Sequence, residues 1–197
     1  MGKKSRQKKQ QTPVKKKKSK KLDTLDYIAL IIFIVIGLGI LSGALWYYVF
    51  HLPSAEEAMT EISVEFTYAF FDFGPGEFTG VEAEALMSER RAQIFRQALP
   101  GIMATYDNKQ VESRVKSDVE VEVLERGYNT GTTRAIFWQY ETDIDKGPRE
   151  VFMFYTYEFV YEDGEWRVDR IITPSVGELE RFRTERGVLP DDNGEDE

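Results

Sequence analysis

Acidic side chains on strand-like segments are the residues of this sequence best placed to act as an acid and a base. Two carboxylates can divide these roles when burial separates their pKa values. The candidates, which lie where polar and apolar residues alternate, are Glu141, Asp143, Glu158 and Asp169. Because residues 51–197 hold 32 Asp/Glu, solvated or ion-paired strand faces are the simpler interpretation.

Histidine and serine chemistry finds little support in the sequence. The single histidine, His51, borders a long apolar stretch and lies outside the predicted fold, so we expect no histidine–carboxylate pair. Ser113 and Lys116 match the S-x-x-K spacing of penicillin-binding enzymes, but no K-T-G follows and the residues alternate as in a strand. The chain has no cysteine, which excludes a thiol catalyst, a disulfide and a cysteine-bound metal. We therefore predict that the chain is not an enzyme and has no metal or cofactor site.

Charge divides the chain into a basic and an acidic part. Residues 1–26 hold 11 Lys/Arg and 2 Asp/Glu, a net charge of +9, whereas residues 51–197 hold 15 Lys/Arg and 32 Asp/Glu, a net charge of −17. The acidic part should repel nucleic acid, and we expect no direct nucleic-acid binding by it. Arg90, Arg91 and Arg96 could form a local basic patch, but the solvated face of a helix is the simpler interpretation.

An uncharged stretch of 24 residues, 27–50, separates the two parts. At about 1.5 Å per residue, a helix of this length reaches roughly 36 Å and can cross a hydrocarbon core about 30 Å thick. Since lysine-rich flanks stay on the cytoplasmic side, we predict a single-pass cell-membrane protein with a cytoplasmic N-terminus and an extracytoplasmic C-terminal domain. Cleavage as a signal peptide after Ala44 is the alternative, although the apolar run continues to Phe50.

The same reasoning sets the predicted domain boundaries. We expect a disordered basic cytoplasmic tail, a transmembrane helix, one folded domain and a disordered acidic tail, over residues 1–26, 27–50, 51–187 and 188–197. The basic tail would attract anionic lipid, or alternatively bind nucleic acid or an acidic partner. Within the span, Gly39 and Gly43 form a GxxxG step, which allows close helix–helix contact.

Three S/T-x-x-E boxes predict the helices of the C-terminal domain, because such a box satisfies free amides at a helix start. The boxes begin at Ser54, Thr79 and Ser175. Apolar residues recur at steps of three and four after the first two, and Pro100-Gly101 should end the second helix. The predicted helices cover about 54–72, 79–99 and 175–186.

From Val115 onward the apolar period changes from 3.6 to 2, which predicts strands. Asp163-Gly164 is a strong hairpin signal between the last two of them. The four expected strands are 115–123, 132–144, 149–162 and 165–173. The predicted fold class is thus α+β, with helices packed on one face of a four-stranded antiparallel sheet.

The third strand is apolar on both faces, although helices can cover only one. Either the sheet curls around the helices, or the second face is a protein interface. We predict an exposed patch larger than the few hundred Å² that a monomer usually shows, and a homo-oligomer formed through it. The patch would consist of Val151, Met153, Tyr155, Tyr157, Phe159 and Tyr161, joined by Trp166 of the last strand.

The final hairpin, residues 157–171, carries a resemblance to a known superfamily. It joins an aromatic-rich strand, Asp163-Gly164, Trp166 and Val168-Asp169. With helices first and a meander after them, the chain resembles the cystatin-like fold of the nuclear transport factor 2 superfamily over about residues 54–175. Since this pattern recurs across many functions, the resemblance implies a fold rather than an activity.

A short cytoplasmic tail, one span and one exported domain of this fold are similar to the bitopic assembly factor of type IV secretion and conjugation machines, including Gram-positive versions. That resemblance implies a scaffold of a DNA-transfer channel, with other membrane-complex proteins as partners and no catalytic residues. The alternative is a membrane-anchored small-molecule binding or enzymatic domain of the same fold with a closed pocket.

Overall fold

The structure, a computed structural model, describes residues 24–145 and 147–188. Most of the predicted basic tail, all but the first residue of the predicted acidic tail, and Lys146 lie outside the described residues. The chain divides into two compact units, residues 1–44 and 45–197.

Helix α1, Thr24–Trp46, supplies the described part of the first unit. Its large apolar side chains between residues 27 and 41 are all at least half exposed. A helix that is apolar all round is typical of a lipid-facing span. Within the described chain, one helical stretch, Tyr27–Phe71, contains a window long and apolar enough to cross a membrane. A methyl group on Gly39 or Gly43 would meet no atom of the chain within 4 Å, so the predicted helix–helix contact stays a prediction.

Helical structure continues through a π-helical turn, Tyr47–His51, into α2, Leu52–Phe71. The predicted helix start at Ser54 is therefore wrong: Ser54 lies inside helical structure and its hydroxyl donates to the His51 carbonyl at 3.2 Å. The π-helical turn ends two residues before Pro53, whose ring and missing N–H disturb regular α-helical hydrogen bonding.

The predicted second helix is two helices, α3, Val81–Ala85, and α4, Glu89–Lys109. Ser88 caps α4, since its side chain accepts from the Arg91 amide at 3.1 Å. The expected stop at Pro100 is wrong, because the helix continues for nine residues beyond it. Those residues include Ile102, Met103 and Tyr106, which pack against the core and continue its apolar face.

The sheet has the predicted antiparallel order, but its first strand is split. The strands are β1, Glu112–Val115; β2, Glu120–Arg126; β3, Thr130–Thr142; β4, Arg149–Glu162; and β5, Glu165–Ile172. β1 and β2 both pair with β3, at its two ends, so the sheet is four strands wide with an interrupted edge. At the interruption the Ser117 hydroxyl accepts from the Trp138 amide at 3.0 Å. The β4–β5 turn is the predicted one, with positive φ at Asp163 and Gly164.

Two β-bulges bend the sheet around α2, which contacts β1, β2, β3 and β5. In β5, Val168 opposes Phe159 and Arg170 opposes Glu158, so Asp169 is the extra residue of the bulge. The segment before α4 covers the β5 edge, because the Ser88 amide donates to the Val168 carbonyl at 2.9 Å. The main core lies between α2, α4 and this inner face, and its fully buried residues include Met59, Phe66, Ala135, Tyr157 and Val168.

The terminal helix α5, Val176–Glu185, begins at the predicted Ser175 capping box and is followed by Gly187 in a left-handed conformation. It covers the outer face of the sheet. Phe182 lies 4.6 Å from the Phe154 ring and 6.1 Å from the Phe152 ring, between ring centroids. Arg183 adds hydrogen bonds to the Phe152 carbonyl at 2.9 and 3.2 Å. The second apolar face of the sheet is therefore covered by α5 of the same chain.

The residues predicted as an exposed interface lie on the opposite, inner face. Tyr157, Phe159 and Trp166 are buried in the main core, and Tyr155 stacks on Phe71 at 4.4 Å. Val151 and Met153 are half-buried on the same face, and Tyr161 is exposed at the hairpin end. The premise of an exposed patch is wrong for these residues, because α2 packs on the face that carries them.

Candidate functional site

The four acidic candidates line two separate surface clefts, with Glu158 and Asp169 in one and Glu141 and Asp143 in the other. Asp169 pairs with Arg90, Glu158 with Arg170 and Glu141 with Arg149. Burial alone would raise the pKa of Asp169, but hydrogen bonds from Arg90 and Ser88 outweigh it and hold the pKa below its usual range. An aspartate with a lowered pKa is a poor general acid or base near neutral pH. The ion-paired interpretation therefore fits three of the four residues, and the Asp143 carboxylate accepts a hydrogen bond from the Asp145 amide at 2.8 Å.

Ser113 and Lys116, the two residues of the S-x-x-K match, each contact other residues instead of one another. The Ser113 hydroxyl is buried, donates to the Phe71 carbonyl and accepts from Gln139 at 2.9 Å. The Lys116 ammonium instead lies over the Tyr140 ring, 5.2 Å from its centre. The S-x-x-K spacing is therefore not a catalytic pair.

Two of the three candidate arginines of α4 form ion pairs within the domain. Arg90 and Arg96 are ion-paired with Asp169 and Glu84. The Nε of Arg91 is buried and has no hydrogen-bond partner in the described chain. With two of the three charges compensated, this group is a weak candidate for a phosphate-binding patch.

A line of buried hydroxyls crosses the interior where the inner face of the sheet meets α2. Ser63 lies 2.7 Å from Thr133 between their side-chain oxygens, and Thr67 lies 2.9 Å from the Tyr157 hydroxyl. Ser63 and Thr67 also donate to carbonyls one turn back in α2. Burial raises the pKa of Tyr157, so its phenol stays protonated and acts as a hydrogen-bonding group.

This interior is filled by side chains. Ser63, Thr67, Thr133 and Tyr157 have no exposed surface, and the Phe66 ring packs edge-on against Tyr157 at 5.2 Å. A binding pocket for a small molecule typically encloses about 300–1,000 Å³. The buried hydroxyls here instead join α2 to the sheet by hydrogen bonds.

One surface cleft lies near the C-terminal end of α4. It has a volume of about 240 Å³ and is lined by residues that include Tyr106, Lys109, Glu141 and Arg149. Burial, followed by the charge of Glu141, raises the pKa of Tyr106. Lys109 and Arg149 form ion pairs, with Asp145 and Glu141 respectively. The cleft is smaller than usual ligand sites and its charges are compensated.

An aromatic cluster at the C-terminal end of the apolar helix is the feature of the domain that the sequence did not reveal. It consists of Trp46, Tyr47, His51, Tyr128 and Tyr161. His51 stacks on Trp46 and Tyr47 at 5.4 and 5.6 Å between ring centroids, and lies 5.2 Å from Tyr128. The Nε2 atom of His51 is 2.9 Å from the Tyr128 carbonyl oxygen, so an N–H at Nε2 donates to it.

His51 therefore packs on the folded domain, contrary to the expectation that it lies outside the fold. Its ring contacts are aromatic, and its polar contact is with a backbone carbonyl. The sequence signal that could have located the cluster is the lone tyrosine, Tyr128, in the Gly127–Gly131 loop, an unusual residue for a glycine-rich turn.

Comparisons with known proteins leave the family open. No family model and no curated protein matches the sequence. Solved structures that match include a candidate aromatic ring hydroxylase from Novosphingobium aromaticivorans, at 11% identity and a TM-score of 0.43, over 60% of this chain and 87% of the other.

Two further matching structures are not described as enzymes. The intermembrane space region of the chloroplast protein ARC6 matches at 12% identity and a TM-score of 0.43, over 63% of this chain and 96% of the other. TraH, a candidate transfer protein from the Gram-positive conjugative plasmid pIP501, matches at 9% identity and a TM-score of 0.44, over 60% and 92%. With TM-scores below 0.5, these likenesses determine neither the family nor the function.

Proposed function

We propose that this chain is a membrane-anchored extracytoplasmic scaffold, a structural component of a Gram-positive conjugative type IV secretion apparatus. The observation that carries the proposal is the uncharged span between a flank of net charge +9 and a domain of net charge −17. That asymmetry favours an N-terminus in the cytoplasm and a domain outside it. The domain would act by binding other membrane-complex proteins.

The filled interior supports a scaffold over an enzyme. The hydroxyl line between α2 and the sheet is closed to solvent, and three of the acidic candidates are ion-paired. A catalytic site needs a cavity in which acid, base and substrate meet. The resemblance to bitopic assembly factors supplies the conjugative role, because those proteins combine one span with one exported domain of this layer order.

Orientation can be tested with single cysteines, since the natural chain has none. Asn108→Cys places a thiol on the exposed C-terminal turn of α4, and Ser19→Cys places one in the basic tail. In intact protoplasts, a membrane-impermeant maleimide should label Asn108→Cys and should reach Ser19→Cys only after permeabilisation. The reverse pattern would overturn the orientation, and equal labelling of both sites before lysis would overturn the anchor.

The conjugative role predicts that the gene lies beside those of a coupling ATPase and a relaxase. Its in-frame deletion from such an element should lower transfer frequency by orders of magnitude, and the full chain supplied in trans should restore it. A chain starting at residue 51 behind a cleavable signal peptide is the matched control, and should fail because it lacks the anchor. Normal transfer without the gene would exclude the role.

A small-molecule binding function is the second candidate, and the cleft beside Tyr106 is the observation in its favour. Substitution of Arg149 by Gln removes a lining charge from an exposed side chain and should leave the fold intact. If transfer is unchanged by this variant while deletion of the gene abolishes it, the cleft does not serve the function. Loss of transfer in a folded Arg149→Gln variant would favour the ligand-binding alternative.

A further inference from the structure

The tip of the β2–β3 hairpin is an uncharged loop that carries an exposed aromatic side chain. The loop residues are Gly127, Tyr128 and Asn129, and the Tyr128 side chain is 65% exposed. Although the Tyr128 ring contacts those of Tyr47 and His51, most of its surface remains in water. The ring becomes favourable where one end can be apolar and the other wet, as at a membrane surface.

The loop is held in a fixed position by the domain. The Gly127 amide donates to the Thr130 carbonyl at 2.8 Å, and the Tyr161 amide donates to the Asn129 carbonyl at 2.9 Å. His51 adds its contact with the Tyr128 carbonyl at 2.9 Å. The exposed ring is therefore presented by an ordered backbone rather than by a free loop.

The depth of this loop follows from the residues it touches. The Tyr128 ring lies 6.2 Å from that of Tyr47, between ring centroids. Tyr47 belongs to the Trp46-Tyr47-Tyr48 run at the outer end of the apolar stretch, and Trp and Tyr there favour the headgroup layer. A ring in contact with Tyr47 lies at or next to the same layer.

The charge of the domain restricts what such a contact can be. With a net charge of −17 over residues 51–197, the acidic surface is repelled by anionic lipid, so a lipid contact has to use uncharged residues. The nearest basic residue along the chain, Arg126, is ion-paired with Glu56 of α2. The tip thus offers an aromatic, uncharged contact rather than an electrostatic one.

We infer that the β2–β3 tip is a second membrane contact, in which the Tyr128 ring inserts into the outer headgroup layer and holds the domain against the membrane. The partner is the lipid surface itself. The inference rests on the proposed membrane anchor. Two attachments, the span and the tip, would fix the orientation of the domain and so the direction in which a scaffold presents its other faces.

A spin label on a single cysteine measures this depth directly in the full chain, reconstituted in nanodiscs of phosphatidylcholine and phosphatidylglycerol. Asn129→Cys places the label beside Tyr128 and leaves the tyrosine in place. Leu38→Cys is the lipid reference and Asn108→Cys is the solvent reference, both on exposed positions. The readout is the accessibility of the label to oxygen relative to a water-soluble nickel complex.

The Asn129 label should give a ratio between those of the Leu38 and Asn108 labels. Adding Tyr128→Ser should shift the ratio towards that of Asn108, while circular dichroism stays unchanged because the side chain is exposed. A ratio equal to that of Asn108 with Tyr128 present would overturn the inference. Spin–spin broadening between Asn129 labels would also overturn it, by indicating a second copy of the chain as the partner. If the Leu38 label itself is accessible to nickel, the proposed anchor fails instead.

Discussion

Thr67 of α2 and Tyr157 of β4 meet in the interior, with their hydroxyl oxygens 2.9 Å apart and neither side chain exposed. Thr67 donates to the Ser63 carbonyl at 2.7 Å, so the phenol is the donor to Thr67. Tyr157 is also opposite Thr133 in the β3–β4 register, and Thr133 in turn contacts Ser63. This pair ties the long helix to the centre of the sheet and places Tyr157 at the middle of the core.

Tyr157 should accordingly dominate the stability of the domain. Tyr157→Phe keeps the ring and loses one hydrogen bond, which should cost about 0.5–1.5 kcal/mol of unfolding free energy. Tyr157→Ser also loses a buried ring, and should cost roughly 3–5 kcal/mol. Urea unfolding of the full chain in detergent, followed by tryptophan fluorescence, to which the buried Trp166 contributes, measures both changes.

Tyr161→Ser is the control for this series, since Tyr161 lies on the same strand and face but is 40% exposed. It should lower stability much less than Tyr157→Ser. If the two serine variants cost the same, or if Tyr157→Ser unfolds like the natural chain, Tyr157 does not occupy the core as described.

Asp169 should make part of the stability depend on acid. Its pKa is held below the usual range, because the hydrogen bonds from Arg90 and Ser88 outweigh the effect of burial. A carboxylate with a folded pKa below its unfolded value of about 3.9 stabilises the fold above that pH. The contribution is lost as pH falls through the folded pKa.

Asp169→Asn should therefore be less stable than the natural chain at pH 7 and should lose less stability between pH 5 and pH 2. Unfolding free energies measured across this range give the difference. Glu165→Gln is the matched control, because it removes one negative charge from the same strand at a side chain that is 65% exposed. An acid dependence equal to that of the natural chain in Asp169→Asn would contradict the assignment.

The carboxylates should nevertheless be dispensable for biological activity. Asp169 and Glu158 line one open surface cleft of about 280 Å³, but each is ion-paired, with Arg90 and Arg170 respectively. We expect Asp169→Asn and Glu158→Gln to leave transfer frequency within a few-fold of the natural chain. A folded variant that lost transfer would indicate chemistry at that residue and would favour the enzymatic alternative.

The sequence predicted most elements because local signals decide them. The Ser175 capping box, the Asp163-Gly164 turn and the alternation in β4 each act over a few residues and were confirmed. The boundaries that failed depend on tertiary packing. Pro100 did not end α4 because residues after it pack against the core. Tyr106, for example, stacks on Phe73 with 5.1 Å between ring centroids.

The candidate site was harder to predict than the elements, because it depends on which face α2 covers. Alternation showed that both faces of β4 are apolar, but it could not say that Tyr157 points inward and Phe154 outward. The bulge at Asp169 also interrupts the alternation of β5. Asp169 therefore contacts Ser88, which strict alternation along the strand could not predict. The contact of Tyr128 with His51 joins residues 77 positions apart, and no local pattern encodes it.

The GxxxG step should govern any association of α1 with the same helix of a second copy. A Cβ atom added at Gly39 or Gly43 has open space around it, so leucine at both positions should leave the helix intact and block close approach by a second one. Cross-linking of the full chain in membranes should decrease. Gly37→Leu lies equally open but outside the step, and serves as the control. Equal cross-linking in all three chains would exclude the step as a contact.

The last prediction concerns the outer face of the sheet. Its apolar residues Ile136, Phe152 and Phe154 are covered by α5, in which Phe182 is 9% exposed. Arg183 adds two hydrogen bonds to the Phe152 carbonyl, so removal of the ring alone leaves a polar attachment. We therefore expect Phe182→Ala combined with Arg183→Ala to release α5 and to expose the apolar face.

An exposed face of this kind favours association, because apolar patches above a few hundred Å² are uncommon on monomers. In detergent, the double variant should sediment as a larger species than the natural chain at equal concentration, while the unfolding transition of the main core remains. Val176→Ala with Arg181→Ala makes two changes at exposed positions of the same helix and should leave sedimentation unchanged. If the Phe182 and Arg183 variant keeps the natural sedimentation behaviour, α5 does not shield an adhesive surface. If the natural chain is already an oligomer that dissociates in this variant, α5 is itself part of the interface.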